Sequence, residues 1–208
     1  MRFPGRSWIL LLLLRLPVFA APIVPGIDNF DQIDVHVYRG AQPTEEGFRY
    51  LAKLGINTVV DLRENDARTV GEKRMVADFG MKYVNVPMTG LTPPTPAEIA
   101  TILALLEDPA RGPVFVHCKR GADRTGAVIG AYRIDHDHWD NVRALNEAML
   151  HGMSLFQIQR QNYIRHFQPR QVAQLRQETI RGNPAAPKIA LELSSIYRKS
   201  TLAAVDVP

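Results

Sequence analysis

Two adjoining segments constrain this chain more than any others. Pro113 to His117 (PVFVH) is a short apolar run, and the stretch from Arg124 (RTGAVIGAYRI) sets small and apolar residues on nearly every side of a helix. A strand without polar alternation is buried on both faces, and a helix that is apolar all round is covered on all sides. A strand and a helix of this kind, joined by a short loop, demand a sheet packed between layers of helices.

The rest of the chain keeps the alternation going. Val35–Arg39, Ile56–Leu62 and Met81–Met88 read as further strands, rich in β-branched and apolar residues. Between them, Thr44–Leu54 has Pro43 near its start, Glu45 and Glu46 in its first turn and Gly55 at its end, the signals of a helix. Arg68–Phe79, Ala97–Glu107, Asn141–Leu150 and Leu155–Phe167 carry similar helical patterns. The order predicts an α/β domain over residues 31–168, with a central, mostly parallel sheet flanked by helices.

The two ends differ from that domain. Residues 1–20 pair Arg2 and Arg6 with an apolar run from Trp8 to Leu14 and a small-residue site at Val18-Phe19-Ala20, which reads as a signal peptide. Arg15 interrupts the run, so a full bilayer span is not expected, although an uncleaved anchor would associate the protein with a membrane. The localisation expected is export, with the protein periplasmic or anchored facing outside. Residues 21–30, with Pro22, Pro25 and Gly26, form a lead-in, and residues 169–208 an extension with a helical stretch at Gln171–Ile180 and a Pro-containing linker.

Charge and cysteine content exclude several functions. The chain has 25 Lys and Arg against 21 Asp and Glu, and three of the basic residues lie in the first 20, which hold no acid. The remaining near-neutral balance leaves no footprint for nucleic acid. A single cysteine, Cys118, rules out a disulfide scaffold and a multi-cysteine metal site.

That cysteine stands where the two constraining segments meet, in His117-Cys118-Lys119-Arg120-Gly121-Ala122-Asp123-Arg124-Thr125-Gly126. A loop entering a helix can turn its backbone N–H groups inward, and with the helix dipole these make a nest for an oxyanion such as phosphate. Gly121 permits the tight turn. A thiol at a helix N-terminus, beside cations, is favoured as the nucleophilic thiolate. Arg124 offers a planar fork for two phosphate oxygens, and the Thr125 hydroxyl is placed to hydrogen-bond the sulfur.

The segment closely resembles the signature loop of the protein tyrosine phosphatase superfamily: His-Cys, five residues, Arg, then Ser or Thr. The Thr-Gly ending, together with YRGAQPTEEGFRYLAKLGINTVVDLRE upstream, is similar to atypical and bacterial dual-specificity phosphatases. The resemblance implies a cysteine-dependent phosphatase needing neither metal nor cofactor. Cys118 would be the nucleophile, Lys119, Arg120, Gly121, Ala122, Asp123 and Arg124 the phosphate-binding loop, and Arg124 the transition-state clamp. His117 would hydrogen-bond around the loop, and Thr125 would assist departure of the sulfur. A phosphocysteine intermediate follows, with a phosphorylated protein (on Tyr, Ser or Thr) or an inositol phosphate as substrate.

One departure stands out. Such enzymes usually carry an aspartate general acid on the loop before the signature strand, and Met88 to Pro96 contains no Asp, Glu or His. Asp123 is the nearest replacement, and a carboxylate that braces the loop through an arginine is the rival reading of it. Asp61 and Glu64 lie at the carboxyl end of a strand, the edge where α/β sites gather, and Asp61 reads as structural. A second class of function is a weak or dead phosphate-binding module of the same fold. Asp135-His136-Asp137-His138 with Asp140 has metal-ligand residue types, but its spacing suits a polar helix end.

Overall fold

A computed structural model describes residues 24–170 and Gln174. Five strands, β1 (Asp31–Gln32), β2 (Val37–Ala41), β3 (Thr58–Asp61), β4 (Lys82–Asn85) and β5 (Val114–Cys118), form one sheet in the order β1-β2-β5-β3-β4. β1 runs antiparallel to β2, and the other neighbours are parallel. β5 is thus central, as its apolar sequence requires. Successive residues of a strand face opposite sides. Val114 and Val116 join one core cluster and Phe115 the other, and Val60 and Val59 of β3 divide in the same way.

Helices cover both faces. α1 (Glu45–Lys53) and α2 (Ala67–Asp78) pack with Phe48, Leu51 and Val76 on the Phe115 side. α3 (Pro96–Glu107) and α4 (Asp123–Asp135) pack on the valine side through Ile102, Leu103, Val128 and Ile129. α5 (Asn141–Leu150) and α6 (Ile158–His166) then enclose α4, with Ala144, Ala148 and Ile164 against Ala127 and Ile134. α4 can be enclosed because it is small where its neighbours press. A Cβ on Gly130 would stand 3.2 Å from Ile164, and one on Gly126 would stand 3.0 Å from Met153.

The helix starts show their local causes. Thr44 caps α1, and capping boxes of Asp66 with Thr69 and of Thr95 with Glu98 open α2 and α3. α6 departs from the expected Leu155 start. Leu155 and Phe156 are 72% and 95% exposed and lie in the connection, because the Ser154 N–H is tied to Asp123 Oδ1 at 2.9 Å and helical bonding begins beyond it. β1 was not anticipated; two residues of the lead-in side pair with Arg39 and Tyr38. Val24, Ile27 and Phe30 of the lead-in are buried.

The expected signal at residues 1–20 and most of the extension, including the helical stretch at Gln171–Ile180, lie outside the described residues. Arg170 is described, and it pairs with Glu107 at 2.5 Å and Asp135 at 2.6 Å. Among the described residues no helix is long and apolar enough to cross a membrane.

Candidate active site

Cys118 is the last residue of β5, with Ala41 of β2 opposite it, and His117 stands opposite Asp61 of β3. It therefore sits at the carboxyl edge of the central strand, where parallel sheets collect their ligands. Residues 119–122 turn the chain into α4, whose first position is Asp123. The helix N-cap, Ala122, supplies no side-chain acceptor, so the first-turn N–H groups are left for an anion.

The loop's carbonyls point outward, each onto a donor. Cys118 O faces His117 Nδ1 at 3.3 Å, Lys119 O accepts from the Gln42 N–H at 3.4 Å, Arg120 O from Asn29 Nδ2 at 3.3 Å and Gly121 O from Arg39 Nη2 at 2.6 Å. In a trans peptide the N–H points opposite to the C=O. Four carbonyls turned out therefore aim the N–H groups of Lys119, Arg120, Gly121 and Ala122 inward. Gly121 has φ +67°, and a Cβ there would stand 2.4 Å from the Gly40 carbonyl carbon. Only glycine fits that turn.

The cradle opens into a cavity of about 230 Å³ lined by Gly90, Cys118, Lys119, Arg120, Asp123 and Arg124. Cys118 is 4% exposed, and Lys119 and Arg120 are exposed at the mouth. Arg124 Nε donates to Thr89 O at 3.1 Å, which ties the arginine to the acid-free loop. The Thr125 hydroxyl is fully buried and has no hydrogen-bond partner among the described residues. Asp123 is committed on both oxygens: Oδ2 to Arg120 at 2.5 Å and Oδ1 to the Ser154 N–H.

Behind the loop lies a buried polar cluster. His117 Nδ1 faces a carbonyl that can only accept, so that nitrogen carries a proton. Nε2 stands 2.9 Å from Glu72 Oε1, without the alignment of a hydrogen bond, and 4.0 Å from Asp61. Arg63 binds both carboxylates, Asp61 at 2.7 Å and Glu72 at 2.5 Å, and Tyr83 Oη donates to Asp61 at 2.7 Å. Burial would raise the Asp61 carboxyl, but hydrogen bonds from Arg63, with help from His117 and Tyr83, bring it below its ordinary value. Burial and the bond to Asp61 push the Tyr83 hydroxyl up. Asp61, Glu72 and His117 have the types and closeness of a metal set; Arg63 binds Asp61 and Glu72 Oε2, while Glu72 Oε1 and His117 Nε2 face each other without a hydrogen bond.

The structure brings His117 through Thr125 together as the sequence places them. It adds Arg39, Arg160, Arg63 and Glu72, which sequence reasoning missed. No local signal marks them, since a charged residue within a strand or helix segment reads as a surface position. The aspartate–histidine run near residue 137 is the polar end of α4. Asp137 binds Arg133 at 2.7 Å, and Asp140 caps α5 through the Arg143 N–H. The guanidinium groups of Arg133 and Arg143 stand over the Trp139 ring, 4.3 and 3.7 Å from its centre.

Comparison with known proteins agrees with this geometry. Residues 26–166 match the family described as DSP-PTPase phosphatase fused to NAD+ kinase. The chain is 32% identical over 139 residues to the dual specificity protein phosphatase TpbA of Pseudomonas aeruginosa, covering 66% of this chain and 60% of TpbA. It is 30% identical over 109 residues to inositol diphosphatase DSP5 of Arabidopsis thaliana, covering 50% of this chain and 53% of that protein. A crystal structure of TpbA in complex with pTyr superposes with a TM-score of 0.60 at 27% identity, over 73% of this chain and 91% of that one. The chain thus spans between half and three fifths of these relatives' sequences.

Proposed function

The chain belongs to the DSP-PTPase phosphatase family, and from that premise we propose that it hydrolyses phosphoric esters and anhydrides through a phosphocysteine on Cys118. The observation that carries this reading is the placement of a buried thiol at the foot of a cradle whose N–H groups turn inward, beside Arg124. The Cys118 thiolate attacks phosphorus, the sulfur–phosphorus bond forms, and the bond to the leaving oxygen breaks with its electron pair going to that oxygen. Arg124 and the loop N–H groups hold the three equatorial oxygens as charge builds on them. Water then attacks the phosphocysteine, phosphate leaves, and the Thr125 hydroxyl hydrogen-bonds the departing sulfur.

The missing acid narrows the substrate. Both oxygens of Asp123 are already hydrogen-bonded and residues 88–96 offer no carboxyl, which favours substrates whose leaving oxygen needs little help from a protein acid. Aryl phosphates such as phosphotyrosine and phosphoanhydrides such as those of diphosphorylated inositols meet that condition; alkyl esters do so far less. The names of the relatives, a phosphatase crystallised with pTyr and an inositol diphosphatase, lie on the same two lines.

The test is p-nitrophenyl phosphate hydrolysis by residues 21–208 without added metal, beside Cys118→Ser and Arg124→Ala. Turnover lost in both variants is expected. Phosphate binding without turnover in the unmutated protein would establish the binding-module reading instead. Export rests on residues 1–20: those residues fused to a reporter active only outside the cytoplasm should yield activity, and its absence would overturn that assignment.

A further inference from the structure

Arg39 is fully buried in β2, between Val116 of β5 and Asp31 of β1. Its Nη2 holds Gly121 O at 2.6 Å, while Nε and Nη1 have no hydrogen-bond partner. No carboxylate lies within ion-pair distance of it among the described residues. A buried cation without a counter-charge is costly, and structures keep one only where something else compensates for it.

We propose that Arg39 is a positioning residue for the phosphate loop: it holds the Gly121 carbonyl outward, aims the Ala122 N–H into the cradle, and sets a fixed positive charge behind the anion. The inference rests on the phosphatase reading and adds to it a residue outside the signature motif. Its geometry divides the two tasks. The hydrogen bond to Gly121 fixes the one loop residue with a left-handed backbone, so the peptide that follows has a single orientation. The charge is left without a partner on the protein side, and the anion in the cradle is the counter-charge it lacks.

The neighbours agree. Burial lowers the Arg39 guanidinium to about 10, against the pull of Glu147, Asp31 and Cys118, so it stays charged at neutral pH. His151, bound to Asp31 at 3.2 Å and to Asn29 at 3.0 Å, is itself held below its ordinary value by burial and by repulsion from Arg39. Both Asn29 and Arg39 brace the same loop, one at Arg120 O and one at Gly121 O.

Cys118 is the only cysteine, so its alkylation by iodoacetamide can be followed by whole-protein mass, and inorganic phosphate in the cradle should block it. The phosphate concentration giving half-protection reports the cradle in folded molecules, whatever fraction is active. Arg39→Met should raise that concentration about tenfold or more, the cost of one hydrogen bond to a charged group. Arg39→Lys should recover part of the loss by restoring the charge. Half-protection within about twofold of wild type in Arg39→Met would overturn the proposal. Where Arg39→Met does not give a cooperative melt, Arg39→Gln, which keeps a donor and drops the charge, carries the same two outcomes. Absence of phosphate protection in the wild-type protein would bring down the phosphatase reading itself, a result distinct from an unchanged Arg39 variant.

Discussion

Arg160 Nη2 donates to the carbonyl oxygen of Thr89 at 2.6 Å, and Arg124 Nε reaches the same oxygen at 3.1 Å. Arg160 Nη1 also binds Gly90 O at 2.8 Å, and the whole side chain is buried in α6. The loop that carries a mobile acid in the family resembled by the sequence is here a fixed wall, pinned from behind. Burial, with repulsion from Arg124, lowers the Arg160 guanidinium from its ordinary value.

Arg160→Met removes the shorter donor from both carbonyls, leaving Thr89 O to Arg124 alone and Gly90 O to Gln157 alone, and so loosens the wall to which Arg124 is tied. It should lower kcat/KM for p-nitrophenyl phosphate about tenfold, as expected for lost hydrogen bonds to a charged group. Amide exchange at residues 89–92 should accelerate in the same variant, and mass-resolved exchange would show it.

Asp123→Asn separates the two readings of that carboxylate. With both oxygens already bound, the loss should be below about tenfold and nearly the same for phenyl and p-nitrophenyl phosphate, and stability should fall by about 1 kcal/mol. A general acid would give a deficit that grows as the leaving group worsens. Kinetics on a series of substituted phenyl phosphates measures this directly.

Gly121→Ala forces a Cβ into the Gly40 backbone at a positive φ. The loop must give way, because the three nearest contacting atoms, from Gly40 and Ala41, are all backbone. Activity should fall by about 100-fold or more, the scale of losing one oxyanion donor. The far-UV spectrum should be unchanged.

Asp61 sets an acid limit on stability. Its folded value lies below 3.8, so the stabilisation from its ionised form is complete above about pH 4 and is lost as pH falls through the folded value. Asp61→Asn should cost about 3 kcal/mol at neutral pH, since it leaves Arg63 part-unpaired in a buried cluster. The variant should then lose less melting temperature than wild type between pH 4 and 2. Thermal melts across that range, read side by side, check the sign.

Much of this molecule was legible because its information is local. The cysteine, five residues and Arg-Thr are contiguous, and the strand–helix alternation needs only periodicity and caps. β5 was placed as central from its apolar run alone. β1 escaped because two polar residues, Asp31 and Gln32, carry no strand pattern, and the strand exists only through pairing with β2. Leu155 and Phe156 misled in the other direction: apolar residues at helical spacing that the Asp123–Ser154 contact keeps in a loop. Arg39, Arg160 and Glu72 were invisible for a shared reason. Charged residues default to the surface in any local reading, and what buries these three are partners 45 to 82 positions away, namely Gly121, Thr89 and His117.

The outward ring of loop carbonyls has a consequence for how the protein comes alive. Its donors, Asn29, Arg39, Gln42 and His117, arrive from the lead-in, from β2 and the residue that follows it, and from β5, so no segment can shape the cradle by itself. Until those segments meet, the loop lacks the donors that turn its carbonyls outward, and the anion site comes into being only when the first strands and the last close on one another. The anion site is therefore a property of the assembled sheet, and phosphate binding reports that the lead-in, β2 and β5 have come together.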